Sequence, residues 1–169
     1  MMEVKEVMTS EACTCTPETN LAAAAMLMWE HDCGVLPVVD DARKVVGIIT
    51  DRDICMAAAM RPLPMSEITV KEVISGQVHS CTPETDIREA LKTIQREKVH
   101  RLAIVGTEGE LQGVLSMNDI ALEAKEASGK KANGLSYKDV VETYKALCEH
   151  RTLPQPVETE PLQQGAAAG

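Results

Sequence analysis

Two short stretches carry the residue types that hold sugars and phosphates. Gly47-Ile48-Ile49-Thr50-Asp51-Arg52-Asp53 and Gly113-Val114-Leu115-Ser116-Met117-Asn118-Asp119 each run from apolar residues to a hydroxyl, with a carboxylate three positions later. Thr50-x-x-Asp53 and Ser116-x-x-Asp119 have the spacing of a capping box, in which hydroxyl and acid satisfy backbone N–H groups at a helix start. The same geometry suits a ligand. Free N–H groups and the positive dipole end of a helix attract phosphate, and the cap hydroxyl adds a hydrogen bond. A carboxylate one turn in accepts both hydroxyls of a ribose, as acids do in dinucleotide sites. Arg52 lies between hydroxyl and acid, placed to neutralise a phosphate. Helix cap and anion site both stay open as readings of each motif.

The elements that position these motifs come in two copies. Positions 113 and 119 follow 47 and 53 by 66 residues, and a motif returning at a fixed offset marks an internal repeat. Val4-Lys5-Glu6-Val7 returns unchanged as Val70-Lys71-Glu72-Val73, and Cys15-Thr16-Pro17-Glu18-Thr19 as Cys81-Thr82-Pro83-Glu84-Thr85. Leu36-Pro37-Val38-Val39 returns as Leu102-Ala103-Ile104-Val105. Leu21, Ala24, Ala25 and Met28 share the i, i+3, i+4, i+7 helical spacing with Ile87, Ala90, Leu91 and Ile94. The organisation is then repeat 1 over 1–60, a linker over 61–69 and repeat 2 over 70–128. A C-terminal amphipathic helix lies within 129–151, and 152–169 has the Pro, Glu, Gln, Ala and Gly content of a disordered tail.

Each copy reads strand, helix, strand, strand, helix. Residues 1–8 form a lead-in packed against the other repeat. Residues 11–16 predict a strand closed by Pro17, and Thr19 or Asn20 caps a helix running to Asp32. Residues 34–40 and 45–50 predict a hairpin, and 51–60 a helix stopped by Pro62 and Pro64. In the second copy the strands fall at 77–82, 101–105 and 111–116, with helices over 87–98 and from 118 to about 128. The fold class is α+β, two β-α-β-β-α units about a pseudo-twofold axis. Val140, Val141, Tyr144, Leu147 and Cys148 share one stripe, so 136–150 reads as a helix with Ser136-x-x-Asp139 capping its start. That helix packs on the parent domain or a second subunit, or docks another protein.

The chain has 169 residues and no Phe, so its core must be built from Val, Ile, Leu, Met and Ala. Such a length suits one compact domain or two small repeats sharing a core. A net charge of −9 argues against a general nucleic-acid or membrane-surface binder, leaving room for a local basic spot. No apolar run approaches the roughly 18 residues of a membrane span, and the first ten residues are too polar and acidic for a signal peptide. Both observations point to the cytoplasm. Disulfides are then not expected among the six cysteines. Cys13-x-Cys15 with His31 and Cys33 is the one candidate metal cluster. Its repeat equivalents are His79, Cys81, Glu97 and Val99, so the pattern is not reproduced and no metal is expected. No hydroxyl nucleophile has a histidine that the repeat places beside it, so catalysis is not expected either.

Val99-His100-Arg101-Leu102 puts two cationic residue types at a strand entry in the second copy, where packing about a pseudo-twofold axis turns them toward the clefts. The order of elements, the Leu36-Pro37-Val38-Val39-Asp40 strand, the Gly47 to Asp53 segment and the tandem arrangement together resemble a cystathionine-β-synthase (CBS) domain pair, or Bateman module, over residues 1 to about 128. The resemblance implies a pseudo-symmetric pair that forms homodimers. It also implies adenosine ligands (AMP, ADP or ATP, with S-adenosylmethionine or NAD in some members) in the clefts between repeats. On it, Asp53 and Asp119 match the ribose-binding acids, and Thr50 and Ser116 the phosphate-side hydroxyls. Gly34, Val35, Leu36 and Pro37 match the base pocket, with Ala12 and Val78 from the first strands. His100 and Arg101 resemble the phosphate-binding pair of nucleotide-sensing members. Ala103 stands where the pattern has proline, and Asn118 matches Arg52. The two sites are therefore expected to differ.

The implied function is a sensor that binds an adenosine nucleotide and signals to an unidentified regulated protein. A structural dimerisation or protein-interaction module with vestigial sites is the alternative. Nucleic-acid binding and hydrolysis of the bound nucleotide fit the residues less well.

Overall fold

The computed structural model describes residues 2–74, 77–126 and 134–149. The expected tail over 152–169 lies outside them. In the first repeat, α1 (Leu21–Glu30) starts at Asn20, whose side chain accepts from the Ala23 N–H, and buries Leu21, Ala24 and Met28 as the spacing requires. The hairpin β1 (Val35–Val39) and β2 (Val45–Thr50) follows, then α2 (Asp51–Met60). The second repeat supplies β3 (Ser80–Cys81), α3 (Ile87–Glu97), the antiparallel pair β4 (Arg101–Val105) and β5 (Leu111–Ser116), and α4 (Met117–Glu123). The last helix is α5 (Tyr137–Cys148), with the Ser136–Asp139 capping box in place. No helix of the described residues is long and apolar enough to cross a membrane.

Two expected elements are shorter than the pattern suggested. The first strand of each repeat shrinks to a parallel bridge from Cys15 to Val38 in one copy and to the two residues of β3 in the other. Residues 11–13 line a cleft instead of a sheet edge, so they have no strand to pair with. Helix α4 stops at Glu123 instead of near 128. There the chain turns extended at Ala124, and Lys125 pairs with Ser136, its N–H donating to the Leu135 carbonyl at 3.0 Å.

The repeats exchange their lead-ins. Val4, fully buried, belongs to the core of the second repeat with Ile87, Ile94, Leu102, Leu115 and Ile120. Its N–H donates to the Thr85 carbonyl at 2.9 Å. Ile68 and Val70 enter the core of the first repeat in the matching way, the Val70 N–H donating to Thr19 at 2.8 Å. Each core therefore closes only when the other repeat's leading segment is present.

A third apolar cluster joins the halves through Val39, Val45 and Ile48 of one and Val78, Ala103, Val105 and Leu111 of the other. Across it the Val45 N–H donates to the Gly109 carbonyl (3.1 Å) and the Leu111 N–H to the Arg43 carbonyl (3.0 Å). These bonds are equivalents at the 66-residue offset, as are the left-handed turns at Arg43 and Gly109 (φ 60° and 86°), so the twofold relation is explicit. Helix α5 lies on α3. Its buried Thr143 receives a hydrogen bond from Gln95 (2.7 Å), and Arg88 meets Asp139 at 3.3 Å.

Candidate functional site

Both sequence motifs form the capping boxes their spacing predicts. Asp53 Oδ2 accepts from the Thr50 N–H (2.9 Å) and hydroxyl (2.6 Å), while Thr50 Oγ1 accepts from the Asp53 N–H (3.2 Å). Asp119 and Ser116 repeat this at 2.8, 2.6 and 3.2 Å. The box occupies Oδ2 of each acid. Oδ1 lies outside it, and at Asp119 it accepts the Thr9 hydroxyl at 3.2 Å. Each cap hydroxyl has one proton, and here it goes to the acid, so donating to a phosphate requires the hydroxyl to rotate away.

Each box opens on a cleft built by both repeats. The Asp119 cleft, about 320 Å³, gathers Ser116, Asn118 and Arg101 from the second repeat with Ala12, Gly34, Val35 and Pro37 from the first. The Asp53 cleft, about 490 Å³, sets Thr50, Asp53 and Val35 against His100 and Arg101. Both volumes fall within the range of small-molecule pockets. Arg101 and its repeat equivalent Val35 line both clefts, which places this pair beside the pseudo-twofold axis. A Cβ built on Gly34 would stand 2.9 Å from Asp51 Oδ2, close enough to displace that carboxylate, and 3.5 Å from Arg101 Nη2, an ordinary contact.

The family model for the CBS domain matches twice, over residues 4–59 and 70–126. The chain belongs to the CBS domain family. The CBS domain-containing protein YhcV of Bacillus subtilis is 28% identical over 146 residues, covering 83% of this chain and 99% of YhcV. Among solved structures, the CBS domain pair of protein MJ0100 in complex with 5′-methylthioadenosine and S-adenosyl-L-methionine superposes with a TM-score of 0.66 at 22% identity, over 72% of this chain and 94% of that one. CBSX2 in complex with AMP gives 0.63 at 21% identity, over 72% and 95%. At such identities the two likenesses establish the fold.

Within the CBS pair, four sequence-nominated residues lie off the cleft linings. Leu36 is fully buried in the first core. Ala103 and Val78 belong to the cluster between the repeats. Arg52 is exposed on the first turn of α2, whereas its equivalent Asn118 does line a cleft. The clefts also take in residues to which the sequence assigned no ligand contact. Glu11, Cys13, His31, Cys33 and Val114 line the Asp119 cleft, and Gln77, His79, Glu97, Val99 and Ile48 line the Asp53 cleft at the equivalent positions. The offset itself was the signal that could have found the second set from the first.

All six cysteines are free thiols. Burial pushes the Cys13 thiol up, with the neighbouring Cys33 adding to it, and pushes Cys15 up to about 11. Both shifts favour the protonated thiol at neutral pH. Among the described residues no group of three or more His, Cys, Asp or Glu side chains is placed to hold a metal ion. The family does include a metal-bearing structure: Hypoxic Response Protein I with two coordinated zinc ions superposes with a TM-score of 0.66 at 27% identity, over 73% of this chain and 100% of that one.

Proposed function

We propose that this chain is a non-catalytic regulatory module that binds an adenosine compound between its CBS repeats and reports the occupancy to a partner protein. The observation that carries this reading is the pairing of each capping-box acid with residues of the opposite repeat, so a bound nucleoside touches both halves. In this reading the acids hold the ribose, and in the Asp119 cleft Gly34, Val35 and Pro37 pack on the base. In the Asp53 cleft Arg101 with His100 meets a phosphate. Ligands seen in MJ0100 and CBSX2 support the class. A ligand bridging the repeats shifts the module only by preferring one relative arrangement of them. Six free thiols fit a reducing, cytoplasmic setting.

Calorimetric titration with AMP, ATP, S-adenosylmethionine and NADH tests the assignment. Removing a hydrogen-bonded carboxylate costs about 1.5–3 kcal/mol, so Asp53→Ala and Asp119→Ala are each expected to weaken the ligand of their own cleft by roughly 10- to 100-fold. Absence of heat with every ligand, from folded protein, would overturn the reading in favour of an interaction module.

The helical face of repeat 1 supports homodimer formation in this proposal. Trp29 is 84% and Met60 75% exposed, and Met26 and Met56 are exposed on the same two helices, α1 and α2; large exposed apolar residues gathered on one face mark interaction sites. In repeat 2 the equivalent of Trp29 is Gln95, which α5 covers. Trp29→Glu is expected to convert a dimer to a monomer in light scattering. A wild-type protein that is monomeric at every concentration would contradict this. The outer stripe of α5, with Tyr137, Val141 and Tyr144 exposed, is the face we assign to the regulated partner.

A further inference from the structure

We propose that the two clefts divide their ligands by charge, the Asp53 cleft taking a phosphorylated adenosine and the Asp119 cleft an uncharged or cationic one. This rests on the adenosine reading above and specifies it. The repeat allows position-by-position comparison, because every residue lining the Asp53 cleft has its 66-offset equivalent lining the other. At three of these positions the chemistry departs in one direction. Gln77, His79 and His100 of the Asp53 cleft are matched by Glu11, Cys13 and Gly34. One cleft thus has an amide and two imidazoles where the other has a carboxylate, a protonated thiol and no side chain.

The remaining charges run partly the other way and do not cancel this. Glu97 of the Asp53 cleft matches His31. That carboxylate, however, is already engaged by Arg96 Nε at 2.6 Å and by His79 Nδ1 at 3.6 Å. The Asp119 cleft adds Asp32. Its charged lining is then Glu11, Asp32 and Asp119 against Arg101 and His31. The Asp53 cleft sets Asp53 and Glu97 against Arg101, His79 and His100. Arg101 is common to both, and its equivalent is the uncharged Val35. One guanidinium cannot neutralise two phosphates on opposite sides of the axis. The imidazoles decide where it acts, since only in the Asp53 cleft do they stand beside it in a pair.

Histidines change charge between about pH 5 and 8, so a phosphate in the Asp53 cleft should bind with proton uptake and more tightly as pH falls. An uncharged ligand in the Asp119 cleft should be nearly indifferent to pH. The test uses AMP and 5′-methylthioadenosine, which share the nucleoside and differ in the 5′ charge, titrated calorimetrically at about pH 8 and about pH 6.5.

AMP is expected to bind about tenfold more tightly at the lower pH. That binding should be lost in Asp53→Ala and kept in Asp119→Ala, with 5′-methylthioadenosine showing the reverse. His79→Gln with His100→Gln should leave the protein folded and flatten the pH response of AMP. The ligand's own second ionisation, near about pH 6, is the same for every variant and drops out of that comparison. AMP binding lost only in Asp119→Ala, or a pH response unchanged by the histidine substitutions, would overturn the division while leaving the adenosine reading intact. Heat from neither ligand would overturn both.

Discussion

Val4→Asp is expected to unfold the second repeat although the residue lies in the lead-in ahead of the first repeat's own core. Leading residues of a domain usually tolerate substitution unless they are tied down. This one is tied down: its side chain is wholly buried among Ile87, Leu102 and Leu115, some 80 to 110 residues away in sequence. Its N–H is bonded to Thr85. An aspartate there has no cation to pair with in that apolar cluster, and burying an unpaired charge costs several kcal/mol. A loss of about 4 kcal/mol or more is expected, a large share of the roughly 5–15 kcal/mol that holds such a domain together. Urea unfolding followed by far-UV circular dichroism measures it. Lys5→Asp is the control. The Lys5 side chain is half exposed and joins a surface pair with Glu3, so this variant should lose less than about 1 kcal/mol. Equal, small losses for both variants would refute the exchange of lead-ins.

Gly113→Val should damage both stability and one cleft. A Cβ at Gly113 would stand 2.6 Å from the Thr9 carbonyl oxygen and 3.3 Å from Ser10 Cα. That obstacle is backbone, and it is held in place by reciprocal bonds between Thr9 and Val114, both 2.9 Å. Relief requires the lead-in to move, and Thr9 carries its hydroxyl away from Asp119 when it does. About 3 kcal/mol is expected, the upper part of the usual range for overpacking, with weakened binding in the Asp119 cleft and unchanged binding in the Asp53 cleft. Gly47 is the repeat equivalent, yet the close approach of a Cβ there is to Ile74 Cδ1, the free end of a side chain, at 2.5 Å, with the rest of that side chain at ordinary distance. Gly47→Ala should therefore cost under about 1 kcal/mol. Loss of binding in both clefts of Gly113→Val would show a global rather than a local effect.

Much of this protein was legible without coordinates because the relevant interactions are local. A capping box involves four consecutive residues, so Thr50–Asp53, Ser116–Asp119 and Ser136–Asp139 were fixed by spacing alone. The buried stripes of α1 and α3 follow from the helical period, and the repeat from identity at one offset. Other features needed the fold. Leu36 belongs to the same motif as Pro37, yet one enters a core and the other a cleft. Strand β1 is buried along nearly its whole length, so alternation of polar and apolar residues could not say which face meets a ligand.

Arg52 looked well placed between hydroxyl and acid, yet it stands exposed off the lining of its cleft while Asn118, at the same helical position of the other copy, lines one, so the helical period by itself does not decide which of the two meets a ligand. The sharing of Arg101 by both clefts and the burial of Val4 in the opposite repeat depend on contacts across the pseudo-twofold axis, and the gathering of His79 with His100 depends on the parallel pairing of β3 with β4 inside the second repeat. Sequence spacing carries the chemistry of each half. Only the packing of the halves determines which residues face one another, because those pairings join positions that no local hydrogen bond or period connects.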